Sequence, residues 1–201
     1  MSNPSCIVGA HDAGVACDWV KRWTPLLPAN ASVLDIACGH GRHMKWFAQQ
    51  GHHVTGIDRS APALANARNF GETVLTDIEN GPWPLIENGQ PRQFDAVVVT
   101  NYLWRALFPT IFQSLAPGGI LIYETFALGN EAIGKPARPD FLLRQTELLE
   151  AFKALHFIAF EQGFLQDPPR IVQRIAAVRL DSEAKSASIP GRYALDPLHS
   201  R

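Results

Sequence analysis

Five short runs of apolar residues recur between positions 33 and 126, and stretches with helical spacing separate them. Runs that stay apolar at consecutive positions are typical of strands buried on both faces, as in a parallel sheet covered by helices. The runs are VLDIA at 33–37, HVTGID at 53–58, TVLTDI at 73–78, DAVVVTN at 95–101 and ILIYETF at 120–126. The alternation predicts an α/β fold with a Rossmann-like sheet and helices on both faces.

The stretches between these runs carry helix signals. Met44, Phe47 and Ala48 recur at helical spacing, and Gly51 is placed to end that helix. Ser60 can cap the next helix, with Pro62 in its first turn. Two later helices are predicted over 107–116 and 146–155, with the sequence PGG at 117–119 turning into the fifth strand.

The end of the predicted domain reads as a hairpin. Two strand-like runs, 157–166 and 170–180, are separated only by the turn residues DPP. So short a connection allows an antiparallel pair and excludes a parallel one. We therefore expect a seven-stranded, mostly parallel sheet with one reversed strand near its edge.

The remaining segments predict a single domain over 1–180. Within the N-terminal segment 1–30, Val15, Trp19, Val20 and Trp23 indicate a helix that packs on or covers the site. The segment 127–140 is rich in glycine, proline and charge, and its length makes it a candidate lid. Residues 181–201 are expected to form a polar tail.

Composition narrows the possible partners. The 201 residues are 46% apolar, and the formal net charge of −1 gives no reason to expect nucleic acid or an anionic membrane. Three cysteines without a CxxC pair fit a reducing compartment, and no signal peptide or membrane span is visible. We expect a cytoplasmic protein with a small-molecule partner, and the sequence leaves the oligomeric state open.

Three carboxylates follow or end predicted strands. Asp35, Asp58 and Asp77 lie at the carboxyl ends of the first three strands, with 100–102 at the end of the fourth. Ligands of open parallel sheets bind beyond these ends. We therefore expect these positions to meet in one cleft.

The loop after the first strand disfavours a dinucleotide. Gly39 and Gly41 match two glycines of the fingerprint GxGxxG, but the third position is Met44. Asp35 would also repel a pyrophosphate. A nucleoside with a positive charge fits better, and S-adenosylmethionine is such a ligand: Asp58 can accept from both ribose hydroxyls, while Asp77 and the Ile78 N–H face the adenine. Asp35 then faces the cationic end.

These residues resemble class I S-adenosylmethionine-dependent methyltransferases over positions 30–180. The first motif of that family, acidic-x-Gly-x-Gly-x-Gly, is matched by Asp35, Gly39 and Gly41, with Ala37 in place of the first glycine. The sequence LAPGGILIYE resembles the family's turn-and-strand motif, and GHGRH followed by HHVTGIDRS is most similar to the small tellurite-resistance-type enzymes. The resemblance implies S-adenosyl-L-methionine as cofactor and S-adenosyl-L-homocysteine as product. The candidate cofactor-binding residues are Asp35, Ala37, Cys38, Gly39, Gly41, His43, Asp58, Arg59, Asp77, Ile78, Thr100 and Asn101.

The acceptor pocket is expected after strands four and five. The residues expected to line it are Asn101, Tyr102, Trp104, Arg105, Tyr123, Glu124 and Phe126. Tyr102 and Arg105 are the preferred substrate contacts. Glu124 is either a catalytic base or the partner of an arginine such as Arg138 or Arg144, and we favour the pairing. An anionic nucleophile needs only alignment in an apolar pocket, whereas a neutral one needs a base.

Other chemistries are less well supported. The histidines at 40, 43, 52 and 53 lack a neighbouring cysteine or glutamate that would complete a metal set, so no metal is expected. Cys38 has no base in view and is interpreted as a packing residue, and His43 is placed beside the carboxylate of the ligand. An RNA- or protein-directed methyltransferase, a nicotinamide-dependent oxidoreductase and a non-catalytic binding protein stay open as alternatives.

Overall fold

A seven-stranded sheet forms the centre of the protein in a computed structural model that describes residues 14–181 and 193–195. The strands of the described residues are β1 (Ser32–Ile36), β2 (His53–Asp58), β3 (Glu72–Leu75), β4 (Ile86–Glu87), β5 (Gln90–Pro91), β6 (Phe94–Thr100), β7 (Leu115–Phe126), β8 (His156–Gln166) and β9 (Pro169–Val178). The sheet order is β3-β2-β1-β6-β7-β9-β8. Strand β9 runs antiparallel to both of its neighbours, which confirms the predicted reversed strand beside the edge.

Alternate residues of the central strands enter two separate cores. Leu34, Val97 and Val99 pack on one face, while Val33 and Val98 pack on the other. Because successive side chains of a strand point to opposite faces, a run that is apolar throughout must be covered on both sides. The helices of the described residues provide that cover: α1 (Asp18–Trp23), α2 (Arg42–Gln49), α3 (Ala61–Ala67), α4 (Phe108–Gln113) and α5 (Glu147–Ala151).

Two of the predicted helix boundaries are found where the sequence placed them. The Ser60 hydroxyl accepts the Ala63 N–H at 3.4 Å at the start of α3, and Gly51 has a φ of +84° just after α2. The α5 helix is shorter than expected, ending at Ala151. In α1 the two tryptophans and Val20 are buried, whereas Val15 lies before the helix and is exposed.

Three features differ from the sequence interpretation. Strand β3 ends at Leu75, so the pair at 77–78 lies in the following turn. The PGG sequence is part of β7, where the pairing with β6 shifts register between Phe94 and Ala96. The β4–β5 hairpin was not predicted.

The segment 127–140 is partly ordered by side-chain anchors. It contains two 3-10 turns, Asn130–Ala132 and Pro139–Phe141. The buried Asn130 accepts the Ile171 N–H on its side-chain oxygen at 3.0 Å and donates to the Pro136 carbonyl at 3.0 Å. Lid movement of this segment stays a prediction. The tail from 182 lies outside the described residues apart from 193–195, and no described helix is long and apolar enough to cross a membrane.

Candidate functional site

The strand order reverses between β1 and β6, and the loop after β1 begins the site there. Ala37, Gly39 and Gly41 all have positive φ, at +55°, +55° and +82°. An added Cβ on Gly41 would lie 2.9 Å from the Ala67 Cα, so this position needs glycine for space as well as conformation. Ala37, which stands where the methyltransferase motif has glycine, accepts a left-handed conformation that costs about 1–2 kcal/mol.

Asp58, at the end of β2, fastens this loop. One carboxylate oxygen accepts the Gly39 N–H at 2.8 Å and the other accepts the Ser60 N–H at 2.8 Å. Each carboxylate oxygen can accept more than one hydrogen bond. Asp58 therefore has acceptor capacity left for a ligand while it holds the glycine turn against α3.

A cavity of about 310 Å³ opens beside Asp58, at the carboxyl ends of the parallel strands. Its walls come from the ends of β1, β2, β6 and β7, the turn after β3, and the segment 127–141. The lining residues are Ala37, Ile57, Asp58, Arg59, Thr76, Asp77, Ile78, Glu79, Asn101, Tyr102, Leu103, Thr125, Phe126, Pro136 and Phe141. Eight residues predicted for the cofactor or the acceptor are thus brought together with others that were not foreseen.

The carboxylate of Asp77 is held in place by its own turn. It accepts the Glu79 N–H at 3.0 Å and the Asn80 side-chain N–H at 2.9 Å. These hydrogen bonds to the charged form lower the pKa of Asp77 below its usual value. Asp58, Asp77 and Glu79 therefore present three carboxyl groups to one cavity.

Tyr102 carries its hydroxyl into the same wall. The hydroxyl oxygen is buried and has no hydrogen-bond partner among the described residues. Burial, with Glu79 nearby, raises the pKa of Tyr102 well above its usual range. At neutral pH this phenol stays protonated, so it can donate a hydrogen bond but cannot act as a base.

Asp35 does not line the cavity, contrary to the expectation that it faces the cationic end of the ligand. It lies inside β1 with 1% of its surface exposed, and its Oδ2 has no hydrogen-bond partner among the described residues. Burial raises the pKa of Asp35 from 3.8 to about 7, while Arg42 acts in the opposite direction. Asp35 is the last residue but one of β1, so its carboxylate is buried against the sheet and not in the cavity that opens beyond the strand end.

His43 and Cys38 are also turned away from the cavity. The His43 Nε2 accepts the Cys17 N–H at 3.4 Å and its Nδ1 lies 3.3 Å from the Thr100 hydroxyl. Burial holds the pKa of His43 well below its usual range, so the ring is neutral, with its proton on Nδ1. His43 thus packs under α1, while burial raises the pKa of the Cys38 thiol well above its usual range.

Arg105 is not placed to contact a substrate in this cavity. Its guanidinium is held by the Glu147 carboxylate at 2.6 Å and 3.0 Å, and by the carbonyls of Asp140 and Leu142. Arg105 therefore anchors the segment around 140 to α5. The neighbouring expectations for Trp104 and Tyr123 are also not met, because neither lines the cavity and Tyr123 is fully buried.

Glu124 forms the expected ion pairs, but with other arginines than those named. Its oxygens lie 3.3 Å from an Arg170 nitrogen and 3.0 Å from an Arg174 nitrogen. Arg138 pairs with Asp140, and Arg144 pairs with Glu147. Since two cations share the Glu124 carboxylate, a role as catalytic base is poorly supported.

Several lining residues were missed by sequence reasoning. Glu79, Thr125 and Phe141 are among them. The only sequence signal for these three was that they lie close in sequence to Asp77, Phe126 and the segment 127–140. Among the described residues, no group of three metal-ligating side chains lies close enough to hold a metal ion.

Comparison with known proteins supports one family. A family model described as a methyltransferase domain matches residues 8–166. The chain is 33% identical over 117 residues to the malonyl-(acyl-carrier protein) O-methyltransferase of Pectobacterium atrosepticum, which covers 55% of the chain and 45% of the relative. It is 30% identical over 118 residues to the ubiquinone biosynthesis O-methyltransferase of Xylella fastidiosa, and this match covers 55% of the chain and 47% of the relative. The chain thus matches about half the length of these curated relatives.

The fold is shared with solved structures. The crystal structure of TehB from Haemophilus influenzae superposes with a TM-score of 0.66 at 19% identity, covering 84% of this chain and 63% of that one. At this identity the likeness shows a common fold.

Proposed function

The chain belongs to the methyltransferase domain family, and we propose that it is an S-adenosylmethionine-dependent enzyme that methylates a small molecule. One observation carries the proposal: the carboxyl groups of Asp58, Asp77 and Glu79 line a single cavity at the strand ends. A wall of this charge repels the phosphates of a dinucleotide and suits a nucleoside that carries a positive charge. The family match and the shape of the sheet agree with this.

The proposed contacts follow from the placement of each group. Asp58 accepts hydrogen bonds from the ribose hydroxyls, and Asp77 with the Ile78 N–H binds the adenine. Ala37 and Asn101, both with positive φ, bring backbone close to the ligand. Asp35 is buried in β1 and does not line the cavity, so it is not among the proposed ligand contacts.

When bound, S-adenosylmethionine supplies a methyl group on a positively charged sulfur, which leaves with the electron pair of the broken bond. The residues of the chain provide position and exclude water. The protonated Tyr102 donates a hydrogen bond, and the paired Glu124 is not free to take a proton. These residues favour an acceptor that arrives deprotonated and does not need a base.

Calorimetry tests the cofactor directly. We expect S-adenosylhomocysteine to bind and NADH to give no heat. Asp58→Ala should weaken S-adenosylhomocysteine by about 1–3 kcal/mol, because two ribose hydroxyls lose a charged acceptor. Since Asp58 also holds the Gly39 N–H, Asp58→Asn provides a gentler second variant, and Glu150→Gln, at an exposed position of α5, serves as control. Tight NADH binding without S-adenosylhomocysteine binding contradicts the proposal.

A further inference from the structure

A second recess adjoins the cavity and has the opposite charge. It encloses about 160 Å³ and shares Asn101 and Phe126 with the larger cavity. Its other lining residues are Arg42, Glu124, Lys135, Pro168, Pro169 and Arg170. Lys135 and Arg170 thus line the recess beside one carboxylate, with Arg42 on the same wall, whereas three carboxylates and the single arginine Arg59 line the larger cavity.

The single carboxylate does not cancel the positive charge. Glu124 is shared between Arg170 and Arg174, with side chains 3%, 12% and 17% exposed. Arg174 also forms an ion pair with Glu161, and Glu161 forms a second one with Arg22. This chain of ion pairs contains three arginines and two glutamates, so it keeps one excess positive charge. Glu124, Arg170 and Arg174 are sheltered from water and act strongly on their neighbours, whereas Arg22 and Glu161 are 32% and 41% exposed.

Lys135 adds a charge at the mouth of the recess. It is exposed and lies in the segment 127–140, and it forms no salt bridge with any residue that the structure describes. An exposed ammonium that faces a cationic recess is repelled by the arginines there. An anion bound between them would relieve that repulsion.

We propose that this recess binds a carboxylate or oxyanion group of the methyl acceptor, with Lys135 and Arg170 as its contacts. The proposal deepens the proposed function, since it makes the acceptor a small anion. The shared Asn101 and Phe126 put the anionic group next to the cofactor cavity, and an acceptor that arrives deprotonated needs no base to remove a proton.

The test uses protein saturated with S-adenosylhomocysteine and titrated calorimetrically with malonate, succinate and selenite. Malonamide and succinamide are the neutral partners of the two dicarboxylates. We expect at least one anion to bind, with its affinity falling as salt is raised, and the amides to bind at least about tenfold more weakly, as for loss of a charge-assisted hydrogen bond.

Variants locate the binding. Lys135→Glu should weaken the anion by about tenfold or more, and Lys135→Gln by less, because reversal adds repulsion to the lost attraction. Lys153→Gln, an exposed lysine elsewhere, is the matched control and should leave anion affinity unchanged. Arg170→Gln is a second variant, read together with its melting temperature because Glu124 loses a partner.

Each contrary outcome has its own meaning. If none of the anions binds, if amides bind as well as acids, or if Lys135→Glu retains full anion affinity, the recess is not an anion site. Anion binding that disappears on saturation with S-adenosylhomocysteine would assign the recess to the carboxylate of the cofactor and overturn the proposal. Binding of S-adenosylhomocysteine is measured separately. If S-adenosylhomocysteine does not bind, the proposed function is wrong, whatever the anions do.

Discussion

Asp35 allows a quantitative test of the buried charge beneath the glycine turn. Burial raises its pKa from 3.8 to about 7. The ionised form is thus disfavoured in the folded protein, and the folded state binds more protons than the unfolded chain between these two values. Stability is therefore lost as the pH rises through this window and is constant above it. A shift of about three pKa units corresponds to about 4 kcal/mol.

Asp35→Asn removes the charge and keeps the shape. We expect the variant and the wild type to differ little near pH 4, and the variant to gain about 1.4 kcal/mol per pH unit relative to wild type up to about pH 7. The free energy of unfolding in urea, measured from pH 4 to 8.5, gives the two curves. The buried amide changes stability by the same amount at every pH, so the slope of the difference between the curves is the quantity to read.

The control is Asp18→Asn, since the Asp18 side chain is 79% exposed. Its stability difference from wild type should not grow steeply with pH. If the Asp35→Asn and wild-type curves run parallel from pH 5 to 7, burial does not disfavour the ionised form of Asp35. The raised pKa assigned to this carboxyl group would then be wrong.

Three further substitutions test the site and its supports. Gly41→Ala should destabilise the fold by about 2–4 kcal/mol in urea, because a Cβ at φ +82° would lie 2.9 Å from the Ala67 Cα; an unchanged midpoint would refute the close approach. Glu147→Gln should remove about 2 kcal/mol at pH 7 by breaking the contact with Arg105, with the difference shrinking as the pH falls below about 4.5, since the pKa of Glu147 is lowered to about 2. Tyr102→Phe should keep the melting temperature or raise stability by up to about 1 kcal/mol, because the hydroxyl reaches no described partner at hydrogen-bond distance although Glu79 lies near it, while methyl transfer falls; a large loss of stability would show that the hydroxyl donates to Glu79.

The sheet could be predicted because its signals are local. Runs that are apolar at every position predict strands buried on both faces. The short link between β8 and β9 allows only an antiparallel pair. The β4–β5 hairpin also had a local signal that was overlooked. Asn88 and Gly89 form its turn with φ of +52° and +75°, and Asn-Gly is the favoured pair for such turns.

The side-chain partners could not be predicted because they are distant in sequence. Arg105 is held by Glu147, 42 residues later, which turns a predicted substrate contact into a structural one. Glu124 pairs with Arg174 because the two face each other in the register of β7 and β9. Sequence spacing placed Asp58 and Asp77 at strand ends, where the fold fixes position. It could not show that Asp35 points into the core.

Trp19 connects the N-terminal helix to the ion-pair chain around Glu124. Its indole N–H donates to the Ile175 carbonyl at 3.1 Å, and the Arg174 guanidinium lies 4.6 Å from the ring centre. Indole emission depends on nearby charge, so any change in how Arg174 is shared with Glu124 reaches a buried fluorophore. The fold therefore places one of the five tryptophans of the chain where binding of an anion in the cationic recess should change its emission.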